Sequence, residues 1–125
     1  MPVVSDTSPL LGLSAIGLLE LLQEQFGAVF IPMAVLSELK VETGFTGTLA
    51  IQKALNDGWL EPKEIQNKPL AQSLSIELDK GESEAITLAM DMGMEMVVMD
   101  ERMGRVRARC LGLKTIGGLG VLLNA

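Results

Sequence analysis

Short apolar runs alternate with helical segments along the whole chain, and this alternation constrains the fold more than any other feature. Strands that alternate with helices predict right-handed crossovers and a parallel sheet. We expect strands at residues 2–5, 28–31 and 96–99, and shorter ones at 59–60 and 114–116. The sequence therefore predicts an α/β fold with a four- or five-stranded parallel sheet.

The segments between these strands carry apolar residues at helical spacing. We expect helix from Leu10 to Phe26, divided by Gly12 and Gly17 into a short and a longer helix. Further helices are expected from Pro32, at 48–57, 70–78, 81–92 and 101–111, and from Gly117, with a glycine-containing loop at Thr43–Gly47. At 125 residues, the chain is long enough for one domain with its own core.

The absence of histidine excludes several kinds of catalysis. A chain without histidine has no Ser-His-Asp or Cys-His machinery and no histidine-based zinc site. Cys110 is the single cysteine, so neither an internal disulfide nor a cysteine-rich zinc site is possible, and a reducing cytoplasm is the expected compartment. Chemistry is left to carboxylates, hydroxyls, Lys, Arg or a hard metal ion held by oxygen.

Net charge and hydropathy limit the classes of partner that we expect the chain to bind. A net charge of −6 argues against generic binding of nucleic acid by a basic surface. All arginines nevertheless fall within residues 102–109, which predicts either one basic edge or an ordinary solvated helix face. No apolar stretch approaches the roughly 18–20 residues of a membrane span, and no secretory signal is recognisable, so we expect no membrane partner.

Four acidic residues are candidates for a shared site. Asp6 and Asp100 end two apolar runs, and in parallel sheets the ligand crevice lies outside the carboxyl ends of the strands. Glu38 and Glu84 would join them from helices. Taken singly, each has an ordinary alternative: Asp6 or Asp100 as a helix N-cap, Glu38 as a surface residue.

Taken together, the four carboxylates favour a metal site. Anions within a few Å repel one another by several kcal/mol at an effective dielectric constant near 20. A cation would neutralise them, and oxygen ligands suit Mg²⁺ or Mn²⁺. Such an ion can activate a bound water and stabilise charge on a phosphate.

Four segments resemble, in order, the motifs of a PIN domain: residues 3–10, 29–39, 81–89 and 97–102. The chain is most similar to the PIN-like nuclease subgroup related to VapC-type toxins of toxin–antitoxin systems. The resemblance implies one PIN-like domain over residues 1–125, folded as a three-layer α/β/α sandwich. It also implies a chain that is short at its C-terminus, so that a partner or dimer mate would cover the last helix.

The resemblance further implies a Mg²⁺- or Mn²⁺-dependent endoribonuclease that leaves a 5′-phosphate and a 3′-hydroxyl. The metal ligands and catalytic residues would be Asp6, Glu38, Glu84 (where many relatives have Asp) and Asp100, with Glu101 as the alternative fourth acid. Thr7, Ser8, Arg102 and Arg105 would contact substrate RNA. An antitoxin protein and a second copy of the chain are the implied protein partners.

Two other functional classes stay open. One is a PIN-like interaction module with a weak or vestigial site, which binds an antitoxin or forms a dimer. The other is a receiver-like or phosphatase-like α/β protein that uses aspartates at strand ends. The second class would want a lysine near the end of a late strand, whereas Lys114 precedes its strand.

Overall fold

The computed structural model describes residues 1–41 and 47–125, so the predicted loop at Thr43–Gly47 lies outside the described residues except for Gly47. The strands are β1 Val3–Ser5, β2 Val29–Pro32, β3 Leu60–Lys63, β4 Met96–Val98 and β5 Lys114–Ile116. In the described part of the chain they form one parallel sheet of five strands in the order β3-β2-β1-β4-β5. The predicted α/β fold with a parallel sheet is confirmed.

The helices follow the expected order, but several of them begin or end at residues other than those predicted. They are α1 Thr7–Ala15, α2 Glu20–Phe26, α3 Met33–Val41, α4 Thr48–Asp57, α5 Lys68–Leu74, α6 Lys80–Asp91, α7 Arg102–Cys110 and α8 Gly118–Leu123. The predicted break at Gly12 is wrong, because α1 continues through it and ends before Gly17, which has a φ of +75°. Helix α5 begins earlier than predicted, since the Asn67 side chain accepts the Leu70 N–H at 3.2 Å and caps it.

Helices cover both faces of the sheet. Val3 points into one apolar cluster with Leu10 of α1, whereas the next residue, Val4, points into a second cluster with Ile86 of α6. Side chains that alternate in this way along a strand require a core on each face. The two clusters give the three layers of an α/β/α sandwich.

The strand order creates a crevice beside β1. Strand β1 lies between β2 and β4. The chain continues from β1 to β2 on one side of this position, and from β4 to β5 on the other side. At such a reversal of strand order the crossovers diverge, which leaves a ligand crevice at the carboxyl ends of the strands. The backbone N–H of Asp6 donates to the Val98 carbonyl at 2.9 Å, so Asp6 lies at this junction.

Among the helices of residues 1–41 and 47–125, none combines the length and the apolar character that a membrane span requires.

Candidate functional site

Asp6 lies at the base of the crevice, directly after β1. Asp6 is buried, with only 5% of the residue exposed. It occupies the N-cap position of α1, yet within the described residues of that helix its side chain makes no capping hydrogen bond. Burial raises the pKa of its carboxyl group to about 7, an effect that the neighbouring backbone N–H of Thr7 only partly offsets. Asp6 is therefore a buried acid at the C-terminal end of a central strand, and its side chain does not cap α1.

Glu38 reaches the same place from α3. The Thr7 hydroxyl donates to Glu38 Oε2 at 2.5 Å, which fixes the orientation of this half-buried carboxylate. Thr7 is itself buried in the first turn of α1. One hydrogen bond thus ties the residue after Asp6 to an acid that lies 31 positions later in the chain.

Gly81, in the first turn of α6, is where the two carboxylates converge. A Cβ atom on Gly81 would lie 2.6 Å from Glu38 Oε1 and 3.3 Å from Asp6 Oδ1. The first distance is shorter than Cβ contacts in real proteins, so a side chain at this position would displace Glu38. The glycine leaves room for both acids beside the start of α6.

Asp79 and Glu82 add negative charge at this helix start, and neither was among the acids predicted for the site. They form a capping box: the Glu82 N–H donates to Asp79 Oδ1 at 2.8 Å, and the Asp79 N–H donates to Glu82 Oε1 at 3.1 Å. After burial, it is the charges of Asp79, Glu82 and Glu38 that raise the pKa of Asp6. Their sequence signal was the run of acids at positions 79, 82 and 84 around one helix start.

Glu82 is itself a buried acid, with 7% of the residue exposed. Its pKa is raised, first by burial and then by the charges of Asp79, Glu101 and Glu38. The connection to Glu101 extends the electrostatic cluster to the start of α7. We call Asp6, Glu38, Asp79, Glu82 and Glu101 the acidic cluster.

Two other predicted acids each accept a hydrogen bond from a backbone N–H at the start of a helix. Glu84 Oε1 accepts the Ala34 N–H in α3 at 3.1 Å. Asp100 is exposed, and its Oδ1 accepts the Gly118 N–H in α8 at 2.7 Å. Neither is among the charges that raise the pKa of Asp6. Between the two candidates for the fourth acid, Glu101 is the one whose charge raises the pKa of Glu82.

Three of the residues predicted to contact substrate lie on α1 and α7: Ser8, Arg102 and Arg105. Ser8 is exposed in the first turn of α1, and Arg102 is exposed at the first position of α7. Arg105 is half-buried, and its Nε donates to Thr115 Oγ1 at 3.4 Å. Its guanidinium lies beside Gly117, as does the carboxylate of Asp100, so Arg105 is on the Asp100 side of the crevice.

The bond from Ala34 to Glu84 leads to a prediction about stability. Glu84→Ala is expected to lower the free energy of unfolding by about 1 kcal/mol, the usual cost of losing a side-chain acceptor at a helix start. Glu84→Gln keeps an acceptor oxygen and is expected to cost less. Urea unfolding of both variants checks this, and equal destabilisation by Ala and Gln would contradict it.

The donor set suits a hard cation held by few protein ligands. In residues 1–41 and 47–125, no three acidic or cysteine side chains lie close enough together to hold a metal ion. Asp6 and Glu38 still present two carboxylates around the space beside Gly81. Mg²⁺ is commonly held by one or two carboxylates, with water and substrate phosphate completing its shell. The residues present fit that mode of binding.

Comparison with known proteins places this fold in a family. The PIN-domain family DUF3368 matches residues 2–125. Among solved structures, a PilT N-terminus domain protein from the hyperthermophilic archaeon Sulfolobus solfataricus superposes with a TM-score of 0.72 at 21% sequence identity, covering 99% of this chain and 92% of that chain. A comparison with curated proteins found no significant match. Because the family match covers nearly all of the sequence, the chain belongs to the PIN-domain family.

Proposed function

We propose that the protein is a Mg²⁺- or Mn²⁺-dependent endoribonuclease of PIN type, and a toxin-like member of the subgroup related to VapC. One observation carries the proposal: the carboxylates of Asp6 and Glu38 converge beside Gly81, at the point where the strand order reverses. Family membership adds that PIN domains are generally nucleases.

The electrostatics of the acidic cluster support a bound cation. The ion pairs among the described residues are Lys53–Asp57, Lys63–Glu61 and Arg107–Glu77, and none of them involves the cluster. Neighbouring unpaired carboxylates raise one another's pKa, and a cation relieves both their repulsion and the cost of burial. Burial and the charges of neighbouring carboxylates raise the pKa values of Asp6 and Glu82 in this way.

The residues divide the work in the following way. Asp6 and Glu38 would hold the ion, which when bound supplies a water of lowered pKa and stabilises negative charge on the phosphate. Thr7 keeps Glu38 turned toward Gly81 through its hydroxyl. Ser8 and the exposed Arg102 are our candidates for contacts to the substrate phosphate. Since the chain has no histidine, proton transfer falls to carboxylates and water.

The proposal is tested with labelled single-stranded RNA and millimolar Mn²⁺. We expect cleavage that stops when EDTA is added in excess. Asp6→Asn should reduce the rate by at least about 100-fold, the typical cost of removing one preorganised electrostatic group from an active site. Asp57→Asn is the matched control, because Asp57 is an exposed acid on α4 paired with Lys53. Cleavage that survives EDTA or Asp6→Asn would refute the mechanism.

A second candidate is a catalytically weak PIN-like module that binds an antitoxin or forms a dimer. The observation that favours it is that no three acidic side chains of the described residues lie close enough together to hold a metal ion. Thermal unfolding separates the two candidates. Mn²⁺ at 100 times its Kd stabilises a binding protein by about 2.7 kcal/mol, whereas a vestigial site gains nothing.

A further inference from the structure

Helices α5 and α6 border an open groove that the active-site proposal does not use. Its volume is about 550 Å³, within the range of about 300–1,000 Å³ that is usual for ligand sites. Its polar lining consists of Lys68, Gln72, Ser75, Lys80 and Glu84. The groove is therefore large enough, and polar enough, to hold an extended charged ligand.

One wall of the groove leads to the acidic cluster. Lys80 immediately precedes Gly81, where the carboxylates of Asp6 and Glu38 meet. Glu84, one turn further along α6, is bonded to the start of α3, the helix that carries Glu38. The first turn of α6 thus presents Gly81 to the candidate active site and Lys80 to the groove.

The two lysines of the groove occupy positions that cost stability. Lys68 is the first residue of α5, and Lys80 is the first residue of α6. The helix macrodipole disfavours a positive charge at this end. Among the described residues neither lysine has a carboxylate within ion-pair distance. Two exposed cations without an ion pair among the described residues therefore face one groove and are available to contact a ligand.

We propose that this groove binds the ribose–phosphate strand of single-stranded RNA as it approaches Asp6 and Glu38, with Lys68 and Lys80 contacting phosphates. The identity of the ligand as RNA rests on the proposed nuclease function. Glu84 adds one negative charge to the lining, and the two lysines outweigh it.

The residues that line the groove also determine how strongly it can distinguish one RNA sequence from another. Of the described residues that line it, none is aromatic. Base stacking in single-strand binding depends on aromatic side chains, whereas lysines contact the backbone of any sequence. The groove therefore contributes affinity with little sequence preference.

The test compares two double variants that lose the same charge. Lys68→Ala/Lys80→Ala removes the groove lysines, and Lys53→Ala/Lys63→Ala removes two exposed lysines that pair with Asp57 and Glu61. Fluorescence anisotropy with labelled single-stranded RNA in EDTA measures binding without cleavage. We expect the groove variant to bind roughly 10- to 30-fold more weakly at 0.1 M salt, with a salt slope reduced by about 1.4, or 0.7 per lost phosphate contact.

The outcomes separate the groove from the nuclease. Equal affinities and equal salt slopes for the two variants would overturn the groove proposal, as would a groove that binds a polyglutamate peptide through these lysines and not RNA. Lysine-dependent RNA binding by a protein that cleaves nothing would support the groove and refute the proposed catalysis. The thermal midpoint of the groove variant should not fall, since both substitutions remove a cation from a helix start.

Discussion

The metal-free Asp6→Asn variant is expected to be more stable than the wild-type protein at pH 8, by up to about 4 kcal/mol. Burial and the charges of Asp79, Glu82 and Glu38 raise the pKa of Asp6 from 3.8 to about 7. Each pKa unit corresponds to about 1.4 kcal/mol of difference between the two protonation states. Asparagine has nearly the same shape and no charge, so it removes the cost of ionising a buried acid.

The sign of the pH dependence follows from the direction of this shift. Below the unfolded-state pKa near 3.8, Asp6 is protonated in both states and does not affect stability. Between that value and about 7, the unfolded chain ionises while the folded protein keeps the proton, so stability falls as the pH rises. Above about 7 the full penalty is present and stays constant. The advantage of Asp6→Asn should therefore grow between pH 4 and 7 and then level off.

Urea unfolding in EDTA at several pH values between 4.5 and 8.5 measures this effect. The raised pKa of Glu82 changes stability in the same direction, but the difference between wild type and Asp6→Asn isolates Asp6. Asp57→Asn is the control on an exposed acid. Parallel stability curves for wild type and Asp6→Asn would contradict the assigned burial. A variant that gains stability and loses Mn²⁺-dependent stabilisation would show a strained functional acid.

The strands and the position of Asp6 could be predicted from the sequence because both depend on local patterns. A strand buried on both faces reads as an unbroken apolar run, and the residue after such a run falls at the edge of the sheet. The location of Asp6 at the reversal of strand order follows from β1 lying between β2 and β4. The local pattern wrongly predicted a helix break at Gly12. Burial of Leu10 and Leu13 outweighs the low helix propensity of this glycine.

Which acid of α6 raises the pKa of Asp6 could not be predicted from the sequence. The helix begins at Lys80, so Glu82 is the third helical residue and closes a capping box with Asp79, while Glu84 lies further along and meets α3. The rotation of α6 about its own axis is set by its packing against neighbouring elements, and this packing depends on contacts between distant parts of the chain. A carboxylate-rich helix start predicts that acids gather there, but the rotation about the helix axis decides their roles.

The second large effect is expected at Gly81. Gly81→Ala should reduce Mn²⁺-dependent cleavage by at least about 100-fold, the cost of losing a preorganised charged group. The added Cβ would lie 2.6 Å from Glu38 Oε1 and 3.3 Å from Asp6 Oδ1. The end of the Glu38 side chain can move away and break its bond to the Thr7 hydroxyl, whereas Asp6 is buried against the sheet. The two carboxylates would then no longer share one space.

This loss should occur with little net change in stability, because the lost bond between Thr7 and Glu38 costs about as much as the alanine gains. Alanine is favoured over glycine in a helix by up to about 1 kcal/mol, and the atom that must move is the tip of a flexible side chain. Gly12→Ala is the matched control, because a Cβ at Gly12 meets nothing within 4 Å in the described structure. Circular dichroism melts and initial cleavage rates of both variants make the comparison.

The pair of glycine variants separates a damaged site from a damaged fold. If Gly81→Ala lost activity through general misfolding, its melting temperature would fall well below that of Gly12→Ala. If Asp6 and Glu38 did not act together, Gly81→Ala would cleave RNA at the wild-type rate despite the displaced Glu38. If catalysis depends on both carboxylates, Gly81→Ala should be stable but inactive, because Gly81 serves only to leave the space that the two acids share.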